Sequence, residues 1–266
     1  MHDKIPLTIY IRTHNEECRI GPVVKRALST GAEVIIVDDG SIDRTQIIAR
    51  EAGAIVFENK WEGGGKQKRF AEKMASNKWL LDLDADEILS HELVDELKKI
   101  FSNPPEQGLY KINYLIIPPF PKGAIWKHAN SDWKCKLYHK DIIRIPDHVA
   151  SDQFKIPKGI RVQKLKNPIY HYSFLNISHE IIKMDKTSTV RAEEYKLKPK
   201  LILIIRILFA YPFYFSKKFF KNKMYTAGLY GFSCAAVIAL NRWFKDVKMY
   251  EKYLIKKGLN KIDDEQ

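Results

Sequence analysis

Along the first hundred residues, short runs of apolar, mostly β-branched side chains alternate with stretches whose apolar positions recur every three or four residues. The runs predict strands and the stretches predict amphipathic helices. Residues 7–11 form one such run, and residues 16–29 follow with Ile20, Val23, Val24, Ala27 and Leu28 along one helical face. The next run, at 33–38, is apolar without interruption up to Asp38, the pattern of a strand buried on both faces of a parallel sheet. A helix over about 43–52 with Ser41 or Asp43 as its cap, a strand at 54–57, a helix near 67–76 and a strand at 79–83 complete a βαβαβαβ order. That order predicts an α/β domain built on a mostly parallel, Rossmann-like sheet flanked by helices.

After Pro104 the rhythm changes to broken strands rich in aromatic residues and proline, such as 109–117 and 169–172, which read as a mixed extension of the same sheet. From about residue 178 the chain turns helical. Residues 201–215 are apolar except for Arg206 and are interrupted by Pro212, and residues 227–240 form a second apolar stretch ending at Asn241, Arg242 and Trp243. Each falls short of the ~20 residues needed to span a bilayer. Lys217, Lys218, Lys221 and Lys223 crowd between them. Apolar segments framed by cations and aromatic rings suit helices lying in a membrane interface. The expected division is therefore a domain over 1–177, with halves at about 1–103 and 104–177, and a basic amphipathic helical region over 178–266.

Composition sharpens this division. The chain of 266 residues is 45% hydrophobic, so it can bury a sizeable core, and it has no low-complexity tract or internal repeat. Its formal charge is +13, but residues 190–266 hold 16 Lys and Arg against 7 Asp and Glu, so most of the excess lies at the C-terminal end. Such an excess suits nucleic acid, anionic lipid or a phosphorylated substrate. The C-terminal cations alternate with long apolar runs instead of lining a polar face, which argues against nucleic acid. Three scattered cysteines without metal-like spacing point to a reduced compartment, and the short N-terminal apolar run implies no export.

Three local patterns carry chemistry. Asp82-Leu-Asp84-Ala-Asp86-Glu87 ends an apolar strand, where clustered carboxylates repel unless a divalent cation compensates them. Mg²⁺ and Mn²⁺ favour one or two carboxylates together with substrate phosphates. Strand alternation puts Asp82, Asp84 and Asp86 on one side, though a turn would re-aim the last. Val37-Asp38-Asp39-Gly40-Ser41-Ile42-Asp43 ends a second strand, and ligands of open α/β sheets gather outside such ends. Trp61-Glu-Gly-Gly-Gly-Lys66-Gln67-Lys68-Arg69 offers a glycine-rich approach to phosphate at a helix start but lacks the P-loop and GxGxxG spacings. The bland counterparts are a solvated helix cap, a glycine turn and a flexible surface loop. His148 and His171 lack paired metal-ligand spacing and read as packing or hydrogen-bonding residues.

Taken together, Thr13-His-Asn15-Glu16-Glu17, Val37-Asp38-Asp39-Gly40-Ser41 with Asp43, Trp61 with Gln67, and Asp84-Ala-Asp86-Glu87 resemble, in order and spacing, the family 2 glycosyltransferases. Within that family the chain looks most like lipopolysaccharide core β-glucosyltransferases. The resemblance is tight over about residues 5–100 and looser through 133–140, 168–172 and Phe219, Gly228 and Gly231. It implies a GT-A-type fold, a nucleotide-sugar donor (a UDP-sugar being the commonest expectation, with glucose one candidate sugar), inversion at the anomeric carbon, and a divalent cation, Mg or Mn. By position, Thr13, Asn15, Glu16 and Asp38 contact the nucleoside and Asp39 assists. Asp84 and Asp86 hold ribose, diphosphate and metal, and Gln67 and Lys68 flank the donor. One segment departs from the pattern: where relatives have an Arg in a short strand and then Val-His-Glu, this chain has Lys136-Leu-Tyr-His139 and then His148-Val-Ala-Ser-Asp152. Asp152 best fits the register of the missing Glu as catalytic base, with Asp147 in reserve.

The expected partners are a nucleotide-sugar donor, a glycolipid or lipopolysaccharide-type acceptor and an anionic membrane surface met by Lys217, Lys218, Lys221 and Lys223, with no nucleic acid and a possible homo-oligomer. The expected location is the cytoplasmic face of the inner membrane, peripheral or monotopic. A non-catalytic membrane adaptor built on a sugar-transferase domain is the rival; it explains everything except why the donor-side acids are intact.

Overall fold

The computed structural model describes residues 4–117, 132–147, 154, 156 and 159–257. These fall into two compact units, one formed by residues up to 116 together with 132–173, and the other beginning at Phe174.

The first unit is organised by its sheet. Strands β1 (Leu7–Thr13), β2 (Glu33–Asp38), β3 (Ile55–Glu58) and β4 (Trp79–Asp84) alternate with helices α1 (Ile20–Leu28), α2 (Thr45–Glu51) and α3 (Gly64–Met74). Strand order runs β3-β2-β1-β4, all parallel. The sheet continues through shorter pieces: β5 (Glu87–Leu89), helix α4 (His91–Phe101), β6 (Leu109–Ile116), β7 (Asp132–His139), β8 (Gln163–Lys164) and β9 (Ile169–His171). β7 lies antiparallel against β4, and the path continues β7-β6-β9-β5, with β8 beside β6. This is the mixed sheet of a GT-A-type fold.

Both faces of β1, β2 and β4 are buried, which explains their apolar runs, whereas β3 at the sheet's edge leaves Ile55 exposed. Leu7, Ile9 and Ile11 of β1, Val34 and Ile36 of β2, and Trp79, Leu81 and Leu83 of β4 join one core with Val23, Val24 and Ala27 of α1 and Leu93, Leu97 and Phe101 of α4. Tyr10, Ile35, Val37 and Leu80 point the other way, into a second core with Ala71 of α3 and Tyr138 of β7. Each fully buried Leu, Ile or Val contributes roughly 1.5–3 kcal/mol by leaving water. A one-residue slip of any of these strands would exchange its two faces.

β7 contains such a change of phase at one point. Tyr110 pairs with Leu137 but Lys111 pairs with Cys135, so Lys136 is an extra residue on β7, a β-bulge. Its neighbours Cys135 and Leu137, two apart, consequently pack against different cores.

The second unit holds helices α5 (Ile177–Glu194), α6 (Lys200–Ser216) and α7 (Gly228–Lys256). α7 is 29 residues long, where the apolar pattern predicted a segment ending near 240. The longer stretch Met224–Lys256 is, by length and composition, able to cross a membrane, which differs from the expectation that neither apolar stretch reaches that length. Past residue 240 the helix continues on spaced contacts: Met249 is fully buried with Leu203 of α6 and Ala192 of α5, and Asp246, also fully buried, accepts from Arg206 at 2.7 Å. Between α6 and α7 the chain makes a π-helical turn at Lys217–Lys221 and a 3₁₀ turn at Met224–Ala227. Gly231 must be glycine, because a Cβ there would lie 1.9 Å from the Met224 carbonyl oxygen.

Candidate active site

The parallel strands bring the predicted acids to one edge. Thr13 at the end of β1 stands in register with Asp38 of β2, and Arg12 beside it stands in register with Asp84 of β4. Order 3-2-1-4 makes the β1–β4 boundary the point where connections reverse direction, the place where open α/β sheets bind ligands.

On the β2 side the loops are stitched together. Asp38 is fully buried and accepts from the amides of Gly40 (3.1 Å) and Ser41 (2.8 Å), from the Ser41 hydroxyl and from Gln46 Nε2 (2.8 Å). Its carboxylate therefore shapes the turn that follows, in which Gly40 has φ +95°. Asn15, at φ +53°, accepts from the Ile42 amide at 2.9 Å, and its own amide donates to Ser41 Oγ at 2.8 Å. The Glu16 amide donates to Thr45 Oγ1 at 2.7 Å, while its carboxylate pairs with Arg19. Asp39 lies beside the His14 ring. Thr13 keeps a buried hydroxyl with no hydrogen-bond partner. Gln67 is fully buried and exchanges two hydrogen bonds with Asn59, so it ties α3 to the segment after β3.

At the end of β4 the acids part company. Asp82 and Asp84 remain on the strand, and Asp86 is re-aimed by the turn into β5. Lys68 Nζ lies 2.7 Å from Asp82, and Lys136 Nζ lies 3.1 Å from Glu87, 3.5 Å from Asp84 and 3.6 Å from Asp82. Arg12 Nε donates to Asp84 at 2.9 Å. Burial alone would raise the Asp84 carboxyl, but Lys136, Lys68 and Arg12 outweigh it and hold Asp84 well below the usual carboxylate range. The same cluster lines a cavity of about 350 Å³, with Lys111, Trp133 and Lys134 on its far wall.

Asp86 instead meets His171 of β9, whose Nε2 is 3.3 Å from its carboxylate, with Arg19 4.0 Å away. Asp86, Glu87 and His171 offer three ligand atoms within 4.8 Å of one another. One oxygen of Glu87 is buried without a partner. Burial pushes the Glu87 carboxyl up to about 7, with Asp84 and Asp86 adding to the shift and Lys136 and His171 opposing it. An orphaned buried oxygen beside a second carboxylate and an imidazole fits a divalent cation. Asp84, expected to share the metal, lies outside this trio and is occupied by cations. His171 and Lys136 carry roles that the sequence did not suggest, since 85 and 52 residues separate them from Asp86 and Asp84.

Asp147 is exposed beyond the end of β7, and Asp152 and His148 lie outside the described residues. In the helical unit Lys217, Lys218 and Lys221 share the π turn, and Lys223 follows in a left-handed conformation at φ +53°.

Comparison with known proteins gives the family and the fold. A sequence model of the family described as Glycosyl transferase family 2 matches residues 8–167. An uncharacterized glycosyltransferase of Rickettsia felis is 31% identical over 95% of this chain and 92% of its own length. The lipopolysaccharide core biosynthesis glycosyltransferase LpsC of Rhizobium meliloti is 27% identical over 99% of this chain and 98% of its own. Among solved structures, the mannosyltransferase PcManGT of Pyrobaculum calidifontis, in complex with GDP-Man and Mn²⁺, matches all of this chain and 89% of its own with a TM-score of 0.50 at 14% identity, a likeness of fold.

Proposed function

The chain belongs to glycosyltransferase family 2, and from that premise we propose that it moves a sugar, with inversion, from a nucleoside-diphosphate donor to a lipopolysaccharide-type or other lipid-borne acceptor. The observation that carries this reading is the division of labour at the end of β4. There Arg12 holds Asp84, and Asp86, Glu87 and His171 gather within 4.8 Å of one another; in this reading the first pair would meet the ribose and diphosphate and the trio would hold Mg²⁺ or Mn²⁺. A bound divalent cation supplies positive charge for the departing diphosphate.

The chain's own residues do the rest. Lys68 and Lys136 keep Asp84 ionised beside the cavity. Thr13 has a hydroxyl to spare for the nucleoside, and Asp38, Asn15 and Glu16 set the loop around it, with Asp39 at its rim. Gln67 anchors α3 and thereby Lys68. Asp152, or Asp147 in its place, takes the proton of the acceptor hydroxyl. The match to LpsC along nearly its whole length favours a lipopolysaccharide-core acceptor, and UDP-glucose is the first donor to try.

The helical unit favours an interfacial seat on the cytoplasmic leaflet. Leu201, Leu208, Phe209, Phe213 and Leu229 are each more than 60% exposed. The half of α7 after residue 240 carries Arg242, Lys245, Asp246, Lys248, Glu251, Lys252 and Lys256, a load of charge that a bilayer core does not accept.

Thermal-shift titration with UDP-glucose and Mn²⁺ tests the catalytic reading. Stabilisation should require the metal and vanish in Asp86→Ala; undiminished binding in chelator sinks the metal role. In transfer assays Asp152→Asn should keep donor binding yet lose turnover by about 100-fold. The same defect in Asp147→Asn alone moves the base to Asp147.

A further inference from the structure

Five cations converge where charge balance would not put them. Arg191 of α5, Lys217, Lys218 and Lys221 of the π turn and Arg242 of α7 line one cavity of about 410 Å³, and no carboxylate is among its lining residues. The lysine arrangement is a product of the backbone: the Asn222 amide bonds to the Lys217 carbonyl at 3.0 Å, five residues back, which widens the turn. Such π turns are rare and concentrate at functional sites. Arg242 is braced by the face of Tyr214, 5.7 Å away.

Two further observations describe the polarity of this cavity. Burial lowers the Lys218 pKa, and Arg242 and Lys217 lower it further; the one carboxylate that acts on it is Glu180 of α5, outside the lining. Asn241, which also lines the cavity, has a buried amide oxygen without a partner. That oxygen is an acceptor and would not itself meet an anion, but rotation of the carboxamide exchanges it for N–H groups that would.

A second cavity adjoins the first and shares Lys217 and Lys221 with it, its other walls being Phe213 and Ser216. Phe213 and the nearby Phe220 and Phe209 are each more than 60% exposed. An anion slot beside an apolar slot, ringed by exposed aromatic side chains, has the two-part chemistry of a phospholipid.

We propose that this cavity is a specific site for a terminal phosphate or diphosphate carried on a lipid, with the lipid chain lying along Phe213. A terminal phosphate presents three oxygens and up to two charges, so several cations can reach it from different directions. A phosphodiester head group blocks part of that access. The site goes beyond general attraction to an anionic leaflet, and it rests on the membrane reading above but not on the catalytic one.

The test uses the full chain and vesicles of matched surface charge, made of phosphatidylcholine with either phosphatidic acid, a terminal phosphate, or phosphatidylglycerol, a diester. Co-sedimentation should show about tenfold tighter binding to the phosphatidic acid vesicles. The preference should disappear in Arg191→Gln/Arg242→Gln and persist in Lys256→Gln, which removes one exposed charge outside the cavity lining. Circular dichroism checks that the double variant folds, and Lys218→Gln gives a single-site reading if it does not. Equal binding to both vesicles at equal charge overturns the site. Displacement by soluble glycerol 3-phosphate as effective as by the lipid assigns the cavity to a free phosphate and overturns its lipid nature. Donor hydrolysis on the same samples separates the two readings: its absence in the parent protein counts against glycosyl transfer, whereas lost vesicle preference with intact hydrolysis counts against this cavity alone.

Discussion

The catalytic unit and the helical unit handle buried charge in opposite ways. In the first, several deeply placed charges meet internal counterparts: Lys68 with Asp82, Lys136 with three acids, and Glu72 with Arg69 and Arg144. In the second, the Arg206–Asp246 pair is settled in the same manner, but the cations around the π turn gather without a carboxylate in their cavity wall. Internal balance makes a rigid scaffold that can hold strongly polar groups at fixed distances. Unbalanced charge leaves free energy to be released on binding, which is useful only where a ligand arrives from outside.

The strongest way to break the contrast is Lys136→Ala, which leaves Glu87 without its cation and Asp82 and Asp84 to Lys68 and Arg12. Urea unfolding should show a loss of about 3–5 kcal/mol, the scale for removing one partner of a buried ion pair. A loss under about 1 kcal/mol would mean that the acids neutralise themselves by protonation and that the pairing is dispensable.

A smaller effect is expected at the sheet's edge, where Glu33 of β2 accepts from the Ser76 hydroxyl at 2.6 Å, from the Ser76 amide at 3.0 Å and from Thr8 Oγ1. Partial burial pushes its carboxyl up, and these hydrogen bonds pull it down further, so its folded pKa lies below the ordinary 4.5. A depressed acid stabilises the fold above the unfolded pKa, and that contribution is lost as pH falls through the folded value. Glu33→Gln should therefore lower Tm at pH 7 by an amount worth less than about 1 kcal/mol, and the gap to the parent should close toward pH 3. A gap independent of pH would assign the effect to packing.

The smallest effect sharpens the other side of the comparison. Lys218→Gln removes a cation crowded by Lys217 and Arg242, so Tm in ligand-free buffer should not fall. A clear drop would show that Glu180, or another group within the helical unit, already satisfies it.

These contrasts were unevenly legible in the amino-acid sequence. The strands β1 to β4 and the helices between them follow from runs of Ile, Val and Leu, since a strand buried on both faces admits little else. The split between Asp84 and Asp86 was foreseeable in kind, because a turn after a strand breaks its alternation. Helix starts were not: residues 16–19 looked helical, yet the Glu16 and Glu17 amides donate to Thr45 and Asp43 side chains, and α1 begins only at Ile20. The glycines at 64 and 65 looked like a loop and instead open α3. His171 and Lys136 stayed hidden for a different reason. Their partners are chosen by the pairing of β9 with β5 and of β7 with β4, and no local pattern encodes which distant strand will be a neighbour. The π turn leaves no mark in the hydrophobic pattern either.

The bulge at Lys136 gives β7 one letter that the strand pairing does not count. The strand is read in one phase from Leu137 onward and in the other up to Cys135, and Lys136 is the extra letter between them. A substitution there changes one side chain. A deletion of that single residue, with every other letter kept, would set Cys135 directly before Leu137, so the bulge would close into regular pairing, Trp133, Lys134 and Cys135 would keep their sides of the sheet, and the cavity would lose Lys136 alone.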